Sequence, residues 1–557
     1  MVSDAMSITT KADNSIGKIS DRQQTLSLGD RNFNLDKLAN DIFDLLVIGG
    51  GITGCGIALD ASSRGLKVAL IEAHDFASGT SSRSSNLIHG GLRYLQQLEF
   101  GLVREAAVER QLLTKLAPGL VTFLPFILPV YGSIKDSIKY RAGLTIYDLL
   151  AGKNNSNRHK KLSKTELFDL SKLIETKSLK TAYEYYDAVT DDARLTIQVA
   201  KVASSLGCTL SNYVQFLAIT KNGTDGAEAV VLDRRTEKEF TIKASQIVTA
   251  SGVWTDQLGL AKETQQGLSI SPSKGSHILL KADRMLPANA FSMTSPSDRR
   301  LVFAVPWYGT LLVGTTDTPY KGDLSQPLVT KDDAKYLLET INHQLPNANY
   351  GYKDIISSQA GLRPLLTEQG KSLGETSRKE QILHLSHNLT SVGGGKLTTY
   401  RPISARVVNS IFRQLGISES MPSLTSHIPL LARIAEQPAP NTKTSITQPL
   451  TESSSKTYFS QSMEHFKTLE TDNTLQCACF HTESQVRFCL KNEMVVTIED
   501  FLARRTRTVL LDPQNGTVAA KQVSKIIGQT LAWTEEQRLA QLDSYIKFAK
   551  HYQLNTN

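Results

Sequence analysis

The sequence predicts an α/β protein: a nucleotide-binding layer of parallel strands near the N-terminus, further strands through the middle, and a helical C-terminal segment. Three observations predict it. A strand, a glycine-rich turn, a helix and a second strand follow one another within 44–72. Short apolar strands ending in glycines recur at 245–252, 301–314 and 389–395. Beyond a Pro/Ser/Thr-rich stretch the pattern turns helical with alternating charge.

The first element is the sharpest. Asp44–Ile48 reads as a short buried strand, and Gly49-Gly50-Gly51-Ile52-Thr53-Gly54 follows at once. In this pattern Gly49 permits the tight turn and Gly51 lets backbone approach a pyrophosphate. Gly54 lets helix and strand pack closely. The helix running to Gly65 offers free N–H groups and a positive dipole end to phosphates. Leu66–Glu72 is the second strand, and Glu72 stands where a carboxylate accepts both ribose hydroxyls. That carboxylate disfavours a 2′-phosphate, but the turn alone does not separate NAD from FAD. Cys55 inside the helix reads as a packing residue.

Ala77–Leu95 comes next, dense in hydroxyls and glycines, as suits a loop laid along a polar ligand. Leu87, Ile88, Leu92 and Leu95 bury it and leave His89, Arg93 and Tyr94 on specific faces. Further on, Ser245–Gly252 reads as a strand ending in a tight turn, and Leu301–Gly314 as strands around Pro306-Trp307. Leu389–Gly395 ends in three glycines, with a helix from Thr398 onward.

Length and charge set the limits. A chain of 557 residues needs no disulfide or metal to fold. Its composition, 40% hydrophobic and 21% charged, excludes a disordered or collagenous protein. The net charge of +8 admits nucleic acid, an anionic membrane surface or an anionic small substrate. No nucleic-acid motif supports the first, so no nucleic-acid partner is expected. Five cysteines are no secreted disulfide framework, which points to a reducing compartment. Cys477-x-Cys479-x-His481 lacks standard zinc spacing, so no metal is expected.

Residues 1–40 are polar and carry five Asp, unlike a signal or transit peptide; they read as a disordered extension with one short helix near its end. Val121–Tyr131 is apolar but too short, and broken by Pro125 and Pro129, to span a bilayer. Beside it, Lys135, Lys139, Arg141, Lys153, Arg158, Lys160 and Lys161 interleave with Ile134, Ile138, Tyr140, Leu144, Ile146 and Tyr147. That mixture suits either a segment lying on an anionic bilayer or an ordinary solvated basic face.

The motifs IGGGITGCGIALDA (48–61), SSNLIHGGLRYL (84–95), LVREAAVER (102–110), DDARL (191–195), KGSHI (274–278), VGTTDTPYKGD (313–323), AGLRPL (360–365) and GGKLTTYR (394–401) together resemble the FAD-dependent glycerol-3-phosphate dehydrogenases. EDFLARRTR (499–507) resembles that family's C-terminal helical domain. Two departures stand out: Asn86 where the family usually has Lys, and Ser251 in place of Thr.

The resemblance implies an FAD-binding Rossmann-like domain interwoven with an antiparallel β-sheet substrate domain, D-amino-acid-oxidase-like, plus a C-terminal α-helical domain. The expected units are a disordered extension (1–40), an oxidoreductase unit (41–435), a linker (436–456) and a helical domain (457–557). It also implies oxidation of sn-glycerol 3-phosphate to dihydroxyacetone phosphate, with electrons passed to membrane quinone. An oxidase handing them to oxygen is the alternative. The protein would then be cytoplasmic and bound peripherally to the inner membrane; a homodimer is left open.

By resemblance, FAD lies along Gly49, Gly51, Gly54, Glu72, Thr80, Ser81, Ser82, Ser85, Asn86, His89, Gly90, Gly91, Gly252, Gly394, Gly395, Lys396 and Leu397. Arg93, Arg363 and Lys396 hold the phosphate, with Tyr94, Thr398 and Lys274 beside them. Arg is the natural clamp because its planar fork matches two phosphate oxygens. His277 and His89 are the candidate bases, with Arg363 beside them at the reacting centre. An imidazole titrates near neutrality, although a packed core histidine is the competing reading for each. KGSHI favours His277 narrowly, leaving His89 to position the isoalloxazine.

Overall fold

The computed structural model describes residues 26–95, 98–131, 133–152, 155, 157–170, 174–175, 179–260, 269–282, 289–366, 380–417, 421–431 and 482–554. Ile42–Ile48 is the central strand of the first sheet, flanked in parallel by Val68–Ile71 and Lys238–Thr249. Ile48 lies opposite both Ile71 and Thr249, so three strand ends open onto one edge. Ligands of open α/β sheets bind at such carboxyl ends. The path continues outward to Thr209–Ser211 on one side and to Leu389–Gly393 and Gln381–Ser386 on the other. The hairpin Val214–Gly223/Gly226–Asp233 adds to the Lys238–Thr249 strand. The helix Ile52–Ser63 covers this sheet and is buried almost all round, as its small and apolar residues require.

A second, mostly antiparallel sheet runs Thr318–Pro319, Ile270–Lys281, Thr310–Gly314, Leu301–Trp307, Ala290–Thr294, Thr122–Val130, Thr181–Val189, Leu87–Ile88. Ile355–Leu366 pairs with Ile270–Lys281 from Ile270 to Leu280. Leu301–Trp307 and Thr310–Gly314 are joined by a tight turn at Tyr308-Gly309, both with positive φ, the geometry a two-residue hairpin needs. The chain passes between the two sheets several times, so the units are interwoven. The apolar 121–131 run is the strand Thr122–Val130, and no helix among the described residues is long and apolar enough to cross a membrane.

Both terminal segments pack against the body of the protein. Residues 26–40 are ordered: a helix Leu28–Asn40 opens on a Ser27/Asp30 capping box. Arg31 on it reaches Asp233 at 2.7 Å, and Leu26 pairs its backbone with Asn492 and Met494. The C-terminal helices Glu483–Asn492, Thr517–Leu531 and Glu535–Ala549 do not stand apart as a small separate body. Val486, Leu490, Phe501 and Val523 share one continuous apolar core with Leu45, Val47 and Ile57 of the nucleotide-binding layer. The 436–456 linker, Cys477, Cys479 and His481 lie outside the described residues.

Candidate functional site

Both sheets contribute walls to a cavity of about 830 Å³, the size of a cofactor site. At one end lies the glycine turn. Gly49 has φ +118°, and a Cβ there would stand 2.6 Å from the Ala250 carbonyl oxygen. A Cβ on Gly54 would meet the Gly49 oxygen at 1.9 Å, so only glycine lets this helix sit on its strand. Gly51 caps the helix Ile52–Ser63 without a side-chain hydrogen bond of its own. Instead Ser81 Oγ accepts from the Ile52 N–H at 3.0 Å. Glu72 ends the second strand at the cavity wall, its carboxylate accepting from the N–H groups of Gly50 (2.7 Å) and His74 (2.8 Å). Burial pushes this carboxyl up, and the two backbone donors pull it back. Cys55 is fully buried, and burial holds its thiol well above the ordinary range, as a packing residue.

The turn, the uncapped helix end and the terminal carboxylate fit the pyrophosphate and ribose of FAD. Gly252, Gly394 and Gly395, all with positive φ, line the cavity further along, where a bulkier chain could not follow the same backbone.

The other end is polar and cationic. His277 is 2% exposed, and its Nε2 lies 2.8 Å from Ser85 Oγ. Its Nδ1 has no hydrogen-bond partner among the described residues. Burial first, and the Arg363 charge second, lower this imidazole to about 3, so it is neutral across the physiological range. Arg363 donates to Thr315 Oγ1 (3.1 Å) and the Thr316 carbonyl (3.2 Å) and faces Asp317 at 3.3 Å. Gly275 makes room for it, since a Cβ there would stand 2.6 Å from the guanidinium. Lys396 sits with its Nζ 3.5 Å over the Tyr94 ring, a desolvated cation–π contact. The His89 N–H donates to Thr398 Oγ1 at 3.2 Å. Tyr94, His89, Thr398, Leu397, Thr80, Ser81, Ser85 and Gly91 all line the cavity.

Several expected residues do not. Lys274 turns away and donates to Asp333 at 2.6 Å in a buried ion pair, because alternate residues of a strand face opposite sides. Asn86 is buried with φ 55°; its amide oxygen accepts from the Asp192 N–H at 3.1 Å, away from the cavity. Ser82 turns its carbonyl to Arg507. Gly90 lies beneath the wall, donating to Tyr147 Oη at 2.8 Å and to Asp187 at 3.2 Å. Gly54 acts in packing alone. Arg93 sits on the Leu92–Leu95 turn beside the cavity, and its side chain lies outside what is described.

The cavity also contains residues no motif assignment named: Arg83, Asp187, Tyr185, Arg300, Phe303 and Asp317. Asp317 was within reach, since it stands in VGTTDTPYKGD beside Thr315. Asp187 and Tyr185 were not, because they are alternate residues of an otherwise unremarkable strand.

Comparison with known proteins fits this geometry. The family model described as FAD dependent oxidoreductase matches residues 44–401. The model described as the C-terminal domain of alpha-glycerophosphate oxidase matches 450–538. Aerobic glycerol-3-phosphate dehydrogenase of Staphylococcus aureus (strain USA300) is 40% identical over 380 residues, 68% of either chain. The glycerol-3-phosphate dehydrogenase from Bacillus halodurans, solved with FAD, superposes with a TM-score of 0.73 at 26% identity, covering 94% of this chain and 98% of that one. The L-alpha-glycerophosphate oxidase from Mycoplasma pneumoniae, solved with FAD, shares the fold at 18% identity: TM-score 0.54, covering 69% of this chain and 98% of that one.

Proposed function

We infer, because the chain belongs to the family of FAD-dependent glycerol-3-phosphate dehydrogenases, that it oxidises sn-glycerol 3-phosphate to dihydroxyacetone phosphate and passes the electrons to membrane quinone. The observation that carries the reading is the meeting, on one cavity, of the nucleotide turn with Arg363, Lys396 and the neutral imidazole of His277.

FAD bound along the turn supplies a hydride acceptor. The chain's own residues do the rest. Arg363 and Lys396 hold the phosphate, the guanidinium fork matching two of its oxygens. Asp317 and Thr315 fix that fork in place before substrate arrives. His277 takes the hydroxyl proton as the carbon gives up its hydride, leaving the ketone. Its low proton affinity owes part to Arg363, and a phosphate dianion on Arg363 offsets that charge, so proton affinity rises when substrate binds. Ser85 keeps the ring oriented. His89, whose backbone is tied to Thr398, lies on the same wall and remains the second candidate base.

The match of 450–538 to a domain named for alpha-glycerophosphate oxidase favours the second reading, transfer to oxygen. Anaerobic addition of glycerol 3-phosphate should bleach the flavin band. Re-oxidation by a soluble quinone analogue without hydrogen peroxide supports the dehydrogenase; peroxide release at the turnover rate supports the oxidase. No bleaching would overturn both.

A cytoplasmic, peripheral attachment to an anionic membrane goes with the quinone reading. The helix Ile134–Leu150 supports it. Ile138 and Leu149 are 63% and 74% exposed, beside exposed Lys135, Lys139 and Arg141. Leu144 and Tyr147 face inward and take no part; Lys153 lies outside the described residues.

A further inference from the structure

The EDFLARRTR motif has no part in the chemistry above, yet it supplies three buried cations: Arg504, Arg505 and Arg507. Among their partners, Asp75 and Ser82 lie on segments that wall the flavin cavity. We propose that Arg507, acting through Asp192 and Asn86, is a positioning residue that holds Ser82–Asn86 in the shape that retains FAD.

Arg507 is 2% exposed and follows a π-helical turn, Asp500–Arg505. One terminal nitrogen donates both to the Ser82 carbonyl (2.9 Å) and to Asp192 (3.2 Å). Its guanidinium centre lies 5.6 Å from the Trp307 ring. The other oxygen of Asp192 accepts from the Ser84 N–H at 2.8 Å. The Asp192 N–H in turn donates to the Asn86 amide oxygen, and the Asn86 carbonyl accepts from the Thr190 N–H at 2.9 Å. Ser82, Ser84 and Asn86 are therefore each tied from behind.

Four residues of the same loop line the cavity, Arg83 and Ser84 among them. Ser81 and Ser85 line the cavity, Ser81 on the nucleotide helix end and Ser85 on His277. A loop tied from behind at Ser82, Ser84 and Asn86 fixes the position of what it presents to the cavity. Arg505 does the same on the neighbouring wall. Its fork takes both oxygens of Asp75, at 2.6 and 2.9 Å, three residues beyond Glu72. Bidentate pairs of this kind fix orientation as well as charge.

The test is titration of full-length apoprotein with FAD, which involves no substrate and so reads separately from the reading of the reaction. Arg507→Lys keeps the charge and loses the fork. Asn86→Gly keeps the left-handed turn and loses the amide that meets Asp192. Each should weaken FAD binding by about tenfold or more, and each should alter the visible circular dichroism of the bound flavin. The urea midpoint of the apoprotein should stay near the parent's. Lys547→Ala, an exposed substitution in the same C-terminal segment, should change neither. FAD affinity within about twofold of the parent overturns the proposal. So does a fall in apoprotein stability large enough to account for the lost affinity. Either variant decides alone should the other fail to fold.

Discussion

Ser85 Oγ and His277 Nε2 lie 2.8 Å apart, joining the flavin loop to the Ile270–Lys281 strand of the second sheet. The hydrogen bond fixes the imidazole plane while leaving Nδ1 without a partner among the described residues. His277→Gln should slow flavin reduction by glycerol 3-phosphate about a hundredfold or more in stopped flow. If His277→Ala and His89→Ala both kept the parent rate, neither would be the base.

The same imidazole predicts a pH dependence of stability. Its folded value is about 3 against an ordinary 6.5. Between these values the unfolded chain binds a proton that the folded one refuses, so stability falls as pH drops through that window. At pH 5 the loss attributable to His277 is on the order of 2 kcal/mol. Urea unfolding of His277→Gln should therefore be less sensitive between pH 7 and 5 than the parent; equal slopes would show that the imidazole is not held neutral.

Arg363 is held by Thr315, Thr316 and Asp317 rather than left loose. Arg363→Lys should raise KM for glycerol 3-phosphate by about tenfold or more, because an ammonium lacks the fork. The flavin spectrum should remain. Gly275→Ala, whose Cβ would crowd the guanidinium, should act in the same direction.

Gly54→Ala places a methyl 1.9 Å from the Gly49 carbonyl oxygen. Backbone must move at the turn proposed to hold the pyrophosphate. The purified variant should lose bound flavin, read as the ratio of flavin to protein absorbance. Full loading would mean that helix and strand can separate without disturbing the turn.

Glu493 is buried against Arg194, at 2.6 and 2.8 Å, with Lys201 and Arg505 at 3.6 and 3.7 Å. Burial alone would raise its carboxyl, but Arg194 and Lys201 prevail and hold it well below the ordinary range. Its contribution is present above the ordinary carboxylate value and is lost as pH falls below it. Glu493→Gln should cost about 3–5 kcal/mol at pH 7, since it leaves buried cations uncompensated. The deficit should shrink toward pH 3 in urea titrations; a constant deficit would contradict the pairing.

Lys135, Lys139 and Arg141 are exposed on one helix with Ile138 and Leu149. Their replacement by Glu should reduce co-sedimentation with anionic liposomes, at about 1 kcal/mol per removed cation. Unchanged binding would count against this helix as a membrane face.

Sequence alone determined what depends on neighbours along the chain. Gly49, Gly51, Gly54 and Glu72 meet backbone constraints a few residues apart, so strand, turn and helix were legible before any tertiary contact was considered. The glycines at 394–395 and the strands around Pro306-Trp307 were legible for the same reason. The tertiary structure decided what depends on distant partners. Lys274 and His277 belong to one motif, yet Asp333 draws the lysine away and the strand's alternation turns the histidine inward. Asn86 stands in the flavin loop but faces Asp192. The C-terminal helices share one core with the nucleotide-binding layer, and their buried Arg504, Arg505 and Arg507 meet carboxylates at Asp75, Asp191 and Asp192 that lie more than three hundred residues earlier in the chain. Periodicity fixes which way a backbone runs; only the folded surroundings fix which charge a buried side chain must meet, since an unpaired one would not remain buried.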